Sequence, residues 1–529
     1  MKSIEIPYNQ DKDKWYRFWE IVPGFLSWTI LLLPFILSIF NPVLFTIFII
    51  AYLIMWFFKG LGMSLRSVQG YRMLTRQSSL NWQLLIDDLE AGEATHPHGK
   101  NPKWHMRNLK RLTEYPLFCK PSEVYHAIII ATYNEGRDTL EPTIQSVLAA
   151  YYDMSKVILV LAFEERGGAE VEAQAKQLMK DYGDKFMHAM AVRHPADIEG
   201  EVIGKGGNIT FAGRELQKYL KTAKIDPEKT VVTTLDADNR PHHSYLLALT
   251  YTFCSTDDPR YVSYQPIPLF LNNIWDAPSP MRVIATGNSF WNIVLSLRPH
   301  MLRNFSSHAQ SMAALIDTDF WSVRTIVEDG HQYWRTYFRY DGKHDVYPIF
   351  TPIYQDAVLA STYRKTLKAQ FVQIRRWAWG ASDVAYVATK GFRRDSKVSR
   401  IDHLMKLGRL LEGHVSWATA SLLILVAPLI PQVVNPENFV ANQLPRLAST
   451  IQTIALSGIF VSLLLSLKFL PPRPQRYKSH RTILMVLQWG LLPVTTLFYN
   501  TAAAIYSQTR LMFGRYLGKF DVTEKAVKK

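Results

Sequence analysis

Cysteine is nearly absent: the 529 residues hold only Cys119 and Cys254. Two thiols cannot build a disulfide framework or a Cys-rich zinc site, and the soluble part is expected in a reducing compartment. The phosphate-loop pattern GxxxxGK[ST] is missing, which removes that route to nucleotide binding. No internal repeat and no low-complexity segment is present. Charge is missing from residues 24–40, "GFLSWTILLLPFILSIF", and again from 43–58, "VLFTIFIIAYLIMWFF", with Asn41-Pro42 between them. Such runs do not suit a soluble surface, and together they predict a helical hairpin across a bilayer. The polar start "MKSIEIPYNQDKDKWYRFWE" lacks a cleavage-site pattern, so no cleavable signal is expected.

What is present is positive charge. Lys and Arg number 60 against 45 Asp and Glu, a net charge of +15. An excess of this kind points to an anionic partner: nucleic acid, a phosphate-bearing substrate or the acidic face of a membrane. The basic residues cluster beside the apolar runs rather than on one face of a soluble module, so no nucleic-acid partner is expected. Mean hydropathy is −0.05 although 48% of residues are hydrophobic, so apolar residues must be concentrated in parts of the chain.

The segment 59–77 is basic with no acidic residue, which predicts a cytoplasmic position. Further spans are predicted at 414–430, 451–467 and 482–506, with the basic 468–481 inside. For 482–506 the charge pattern leaves two readings: one span, or a re-entrant hairpin broken at Pro493. The expected organisation is an apolar hairpin with its basic flank (1–77), a connecting segment (78–120), a cytoplasmic α/β domain (121–395), and an interfacial helix with a C-terminal apolar region (396–529). The location expected is the cell (plasma or inner) membrane, multi-pass.

Within 121–395 short apolar strands alternate with amphipathic helical stretches. Strands are predicted at 124–132, 156–163, 186–194 and 230–235, and helices at 140–152 and 169–183, which argues for a mostly parallel sheet. Ligands of such sheets sit at the carboxyl ends of strands. Several strand ends here are polar. "IIIATYNEG" brings Thr132 and Glu135, and "VLAFEERGG" brings Glu164 and Glu165 before a glycine pair. "GKGGNITFAGREL" opens a helix with Lys205, where backbone amides and an ammonium suit a diphosphate. "VVTTLDADNR" ends a strand in Asp236-Ala237-Asp238. Carboxylates at that spacing suit either an Asp-rich turn or a hard divalent cation such as Mg²⁺ or Mn²⁺, which keeps waters and phosphates in its shell. "RTIVEDGHQYWR" holds the pair Glu328-Asp329, a source for a general base. In "QFVQIRRWAWG", Gln373, Arg376 and Trp377 fall at i, i+3 and i+4 and share one helical face. An amide, a guanidinium and an indole together suit a phosphate and a sugar ring.

Taken in order, "ATYNE", "DAD", "VED" about 90 residues later and "QIRRW" about 45 further resemble the membrane-embedded family 2 glycosyltransferases of the cellulose, hyaluronan and chitin synthase group. The resemblance runs from about residue 124 to 383. It implies a GT-A fold, a nucleotide-sugar donor, and inverting transfer to a growing polysaccharide, with export and accessory export subunits as further expectations. It assigns donor binding to Thr132, Glu135, Glu164, Lys205, Asp236, Asp238, Gln373 and Arg376, the metal to Asp236 and Asp238, the base to Asp329, and the acceptor to Glu328 and Trp377. The chain departs from the pattern in three places. Val327 stands where the family has Thr, Glu164 or Glu165 stands where an Asp reads uracil, and "NFSSHAQSMAAL" (304–315) occupies the stretch of the usual acceptor loop, with "YQPIP" (264–268) expected to line the acceptor path as well. Two alternatives remain at this point: transfer of one sugar to a lipid such as polyprenyl phosphate, and a non-enzymatic transporter or channel, for which broken helices or ionisable residues such as His414 would be the sign.

Overall fold

A computed structural model describes residues 4–95 and 101–518. Its centre is an eight-stranded mixed sheet in the order β3-β2-β1-β4-β7-β6-β8-β5. The strands are β1 (Tyr125–Thr132), β2 (Val157–Glu164), β3 (His188–His194), β4 (Thr230–Asp236), β5 (Arg240–Pro241), β6 (Val262–Leu269), β7 (Ala309–Ser311) and β8 (Asp345–Tyr354). The predicted strands lie within a residue or two of β1 to β4, and these pair in parallel. β7 is antiparallel to both β4 and β6.

β1 and β2 read as near-continuous aliphatic runs because both faces are covered, as parallel sheets require. Ile128 and Ile130 face one layer with Leu140, Ile144 and Val147 of the helix Arg137–Leu148. Ala127 and Ile129 face the other with Ile209, Ala212 and Leu216 of the helix Lys205–Ala223. Each such fully buried side chain contributes about 1.5–3 kcal/mol.

Register fixes the site. Thr132 pairs with Phe163, Ala131 with Asp236, and Glu164 with His194. The carboxyl ends of four neighbouring strands therefore form one edge, and their polar residues share it.

The segment expected only to connect is folded. Helices Trp82–Ala91 and Lys103–Arg111 pack against Tyr245–Cys254, and the buried His105 bridges Tyr251 Oη (2.8 Å) and Asp88 Oδ2 (3.1 Å). Cys119 and Cys254 are both free and buried, with Sγ atoms 3.8 Å apart.

Four helices are long and apolar enough to cross a membrane: Lys14–Phe40, Pro42–Ser78, Phe439–Phe469 and His480–Met512. A fifth candidate is the pair Arg400–Leu425 and Ala427–Val434, bent by 43°. The stretch around Pro493 does not fold back as a hairpin. It continues as a helical rod with a 3-10 turn at Gln488–Leu491 and a π turn at Thr496–Thr501, which absorb the amide that proline lacks. These helices pack directly on the sheet: Ile267, Leu269 and Phe350 share one core with Leu74, Leu465, Trp489 and Ala503.

The N-terminal segment lies across the α/β unit. Glu5 pairs with the buried Arg335 at 3.0 Å, Ile6 O accepts from Arg324 at 2.8 Å, and Ile4 O accepts from Tyr386 Oη at 2.7 Å.

Candidate active site

The strand edge opens into one cavity of about 2000 Å³. Lys205, Asp236, Asp238, Glu328 and Asp329 line its inner end, and side chains of the apolar helices line the other.

Lys205 is the hub. Its ammonium, almost wholly buried, lies 2.9 Å from Asp236 Oδ1, 3.1 Å from Asp329 Oδ2 and 3.9 Å from Glu328 Oε1. Burial alone would weaken its proton affinity, but the carboxylates of Asp236, Asp329 and Glu328 reverse this and hold it firmly protonated. The glycines after Lys205 form the first turn of its helix. They let its helix approach neighbouring chain: a Cβ on Gly206 would stand 2.3 Å from Ser322 O, and one on Gly207 2.4 Å from Glu201 Oε2.

Asp236 ends β4, Asp238 follows in the turn beyond it, and both line the cavity. Asp236 Oδ2 also accepts from Ser306 Oγ at 2.6 Å, and Asp238 Oδ2 accepts from Asp356 N at 3.1 Å. Among the described residues no group of three or more His, Cys, Asp or Glu is placed to hold a metal. A two-carboxylate edge still fits a hard cation whose other ligands are waters and phosphates. Such a cation must compete with Lys205 for Asp236.

Glu328 and Asp329 form the first turn of the helix Glu328–Arg339, where negative charge is favoured by the helix dipole. Their environments differ. Glu328 is buried, and burial, then the neighbouring Asp329 carboxylate, push its carboxyl up to about 8 despite Lys205 and Arg376. Asp329 lines the cavity with His308 Nδ1 3.6 Å from its Oδ1. The tautomer of His308 follows from its partners: Nε2 accepts from Trp321 Nε1 at 3.0 Å, so Nδ1 carries the hydrogen and donates to Phe305 O at 2.9 Å.

Gln373, Arg376 and Trp377 all line the cavity from the helix Tyr363–Ala378. Gln373 Oε1 accepts from Gln370 Nε2 at 3.1 Å, and the Trp377 ring lies 6.3 Å from Phe270.

The β1 and β2 ends form the far wall. Glu135 lines the cavity, but its Oε2 accepts from Thr132 Oγ1 (2.9 Å) and Tyr133 N (2.8 Å), so it closes the turn. Glu164 Oε2 is held by Arg166 Nε at 3.2 Å and His194 Nδ1 at 3.3 Å. Glu165 lies outside, paired with Arg193. Gly167 has no room for a side chain, since a Cβ would stand 2.2 Å from Tyr133 O. The loops therefore touch, and the Arg166 guanidinium sits 5.8 Å from the Tyr133 ring.

Sequence reasoning missed His194, and it passed through Tyr133, Arg166 and Ser306 inside polar stretches without giving them a role of their own. His194 bridges Glu164 and Glu201 (2.9 Å), and although burial opposes its charge, those two carboxylates raise its pKa to about 9. No spacing rule announces a histidine whose partners come from separate strand ends. Of the two stretches expected on the acceptor path, "NFSSHAQSMAAL" contributes Asn304 to Ser306 to the lining. "YQPIP" contributes Pro268, while Tyr264 points into the core and Gln265 Oε1 holds Phe305 N at 2.7 Å.

No protein-family model and no curated protein matches the chain. Solved structures do resemble it, and those compared are glycosyltransferases. A mannosyltransferase from Pyrobaculum calidifontis, in complex with GDP-Man and Mn²⁺, is 13% identical, with a TM-score of 0.39 over 86% of this chain and 100% of that one. S. aureus TarS 1–349 with UDP is 11% identical, with a TM-score of 0.36 over 74% and 93%. GalNAc-T7 with UDP, GalNAc and Mn²⁺ is 11% identical, with a TM-score of 0.32 over 61% and 70%. Scores at this level describe distantly similar shapes and say nothing of activity.

Proposed function

We propose that this chain is a membrane-bound, inverting glycosyltransferase of the GT-A type, moving a sugar from a nucleotide-sugar to an acceptor hydroxyl. One observation carries the reading: a buried ammonium joins the strand-end carboxylate Asp236 to the helix-start carboxylate Asp329, on the floor of a cavity continuous with apolar helices. Asp236, Asp329 and Lys205 thus meet at one point, which supports reading them as a metal-competent edge, a base and a cationic group for sugar transfer from a diphosphate.

In this reading the acceptor oxygen attacks the anomeric carbon from the face opposite the diphosphate. The bond from that carbon to the diphosphate oxygen breaks, and its electron pair leaves with the nucleotide. Asp329 takes the hydroxyl proton. Lys205 and Arg376 offset the charge growing on the diphosphate. Mg²⁺ or Mn²⁺, held by Asp236 and Asp238, would supply further charge neutralisation there. Tyr133 and Arg166 offer a ring and a guanidinium for the nucleotide, Gln373 a further donor contact, and Trp377 a ring for the acceptor sugar. Growth of a polysaccharide, with export along the cavity, suits a site that opens among apolar helices. Transfer of one sugar to a lipid acceptor is the alternative.

Membranes holding the chain should release one nucleotide from a panel of UDP-, GDP- and TDP-sugars, dependent on Mg²⁺ or Mn²⁺ and lost in Asp329→Asn. Sizing the labelled product separates polymer from lipid-linked monosaccharide. If no donor is bound or turned over by folded protein supplied with acceptors, the transferase reading fails.

A further inference from the structure

The cavity has a second charged region, away from the carboxylates. Arg66, Arg298, Arg303, Arg409 and the imidazole of His300 all line it. They come from three places: the helix Pro42–Ser78, the segment after the helix Ser279–Ser296, and the helix Arg400–Leu425. Among the described residues none of these arginines has a carboxylate within ion-pair distance. The nearest acidic groups are already engaged, Asp402 by Lys406 at 2.8 Å and Glu412 by Lys59 at 3.2 Å.

The cations repel one another. Burial, then Arg66 and Arg409, lower the proton affinity of Arg298; burial and Arg409 do the same to Arg303, whose guanidinium is stacked 4.1 Å from the Tyr333 ring. Asp402, itself paired with Lys406, offsets part of this at Arg303. A cluster of like charges brought together by three chain segments, with no carboxylate in direct contact among the described residues, still raises the energy of the folded state unless an anion offsets it.

The surroundings say what kind of anion. Gly70 is where the helix Pro42–Ser78 meets the helix Ser279–Ser296, since a Cβ there would stand 2.2 Å from Ile293 Cγ2. Further along the same helix the cavity wall is apolar and open: Met55 and Phe58, with Trp291 of the second helix, line it while remaining 41%, 63% and 46% exposed. An apolar, open wall thus runs up to a cationic end. Ser306, which touches Asp236, follows Arg303 by three positions, so Arg303 lies within about 11 Å of chain from the carboxylate centre.

We infer that the cavity binds a phosphate-bearing amphiphile, with its phosphate on Arg66, Arg298, Arg303 and Arg409 and its chain against Met55, Phe58 and Trp291. The claim concerns binding alone and stands apart from sugar transfer. Guanidinium groups suit it because they pair with phosphate oxygens through two hydrogen bonds at once.

The test uses the full chain in detergent, with no nucleotide-sugar, and native mass spectrometry to measure bound dodecyl phosphate, with dodecanol and inorganic phosphate in parallel. Dodecyl phosphate should bind, dodecanol about tenfold or more weakly, and inorganic phosphate should displace it only in large excess. Arg298→Gln with Arg409→Gln should weaken binding about tenfold or more, and the corresponding pair of lysine variants should lose less. Arg409 is exposed, so Arg409→Gln alone serves if the double variant does not fold. Equal binding of the alcohol, unchanged binding in the glutamine variants, or displacement by equimolar inorganic phosphate would each overturn the inference. The first two would mean partitioning only, and the last a plain anion site.

Discussion

The Lys205 ammonium stands 2.9 Å from Asp236 Oδ1, on the carboxylate that a divalent cation would use. A divalent cation at Asp236 would therefore compete with the lysine, and under the proposed function a donor's phosphates would accept both. Lys205→Met should bind Mn²⁺ about tenfold or more tightly than the parent chain when no nucleotide-sugar is present, because an opposing charge has been removed. The same variant should lose about 10²-fold or more in turnover, since the departing diphosphate loses a cation. Electron paramagnetic resonance of free Mn²⁺ reads the first effect. Equal affinities would show that Lys205 does not guard Asp236.

The neighbours Glu328 and Asp329 should respond differently to loss of charge. Asp329→Asn should lower kcat by about 10²–10⁴, the range of a missing general base. Glu328 holds its proton in the folded state up to about pH 8, against an ordinary 4.5. The native state then binds more protons than the unfolded chain across that window, so stability falls as pH rises through it. Glu328→Gln should flatten that slope in a plot of Tm against pH. A slope unchanged by the substitution would place the titrating group elsewhere.

His194 gives a second pH signature. Its pKa is raised from 6.5 to about 9, so its contribution is complete below about 6.5 and is lost as pH climbs through 9. Since its partner Glu164 lines the cavity, nucleotide binding should weaken over the same interval. Calorimetric titration of UDP and GDP between these limits, with His194→Gln as control, checks this.

The two thiols should be silent. Both are buried, and burial, then the neighbouring Cys119, holds the Cys254 thiol well above its usual range. Thiolate is the reactive form. An alkylating reagent at neutral pH should label neither until denaturant is added.

Packing against the helix of Lys205 should be intolerant. Gly206→Ala places a methyl group 2.3 Å from the backbone oxygen of Ser322, which cannot swing aside. The expected loss is about 1–3 kcal/mol of stability, read by chemical denaturation.

Sequence pattern reached the first four strands, their order of alternation with helices, and the apolar runs, because each is a local periodic signal. The shared cavity lining of Gln373, Arg376 and Trp377 followed from helical spacing for the same reason. What stayed hidden was pairwise geometry. Glu135 and Glu164 look like exposed strand-end carboxylates, yet one folds back on Tyr133 and the other is clamped by Arg166 and His194. The short antiparallel β7, inserted between β4 and β6, carries no pattern longer than its three residues. The irregularity at Pro493 was legible, but its resolution into a continuing helical rod depended on neighbours from other helices.

Glu5 and Arg335 are 330 residues apart. In a chain made from its amino end, Glu5 is synthesised long before the arginine it will neutralise. Arg335 also donates to Thr318 O at 2.7 Å, but that carbonyl brings no counter-charge. Burying such a guanidinium without its carboxylate costs about 3–5 kcal/mol. The charge that lets the helix of Glu328 and Asp329 bury its Arg335 is therefore supplied from the leading segment, beyond two long apolar helices in sequence.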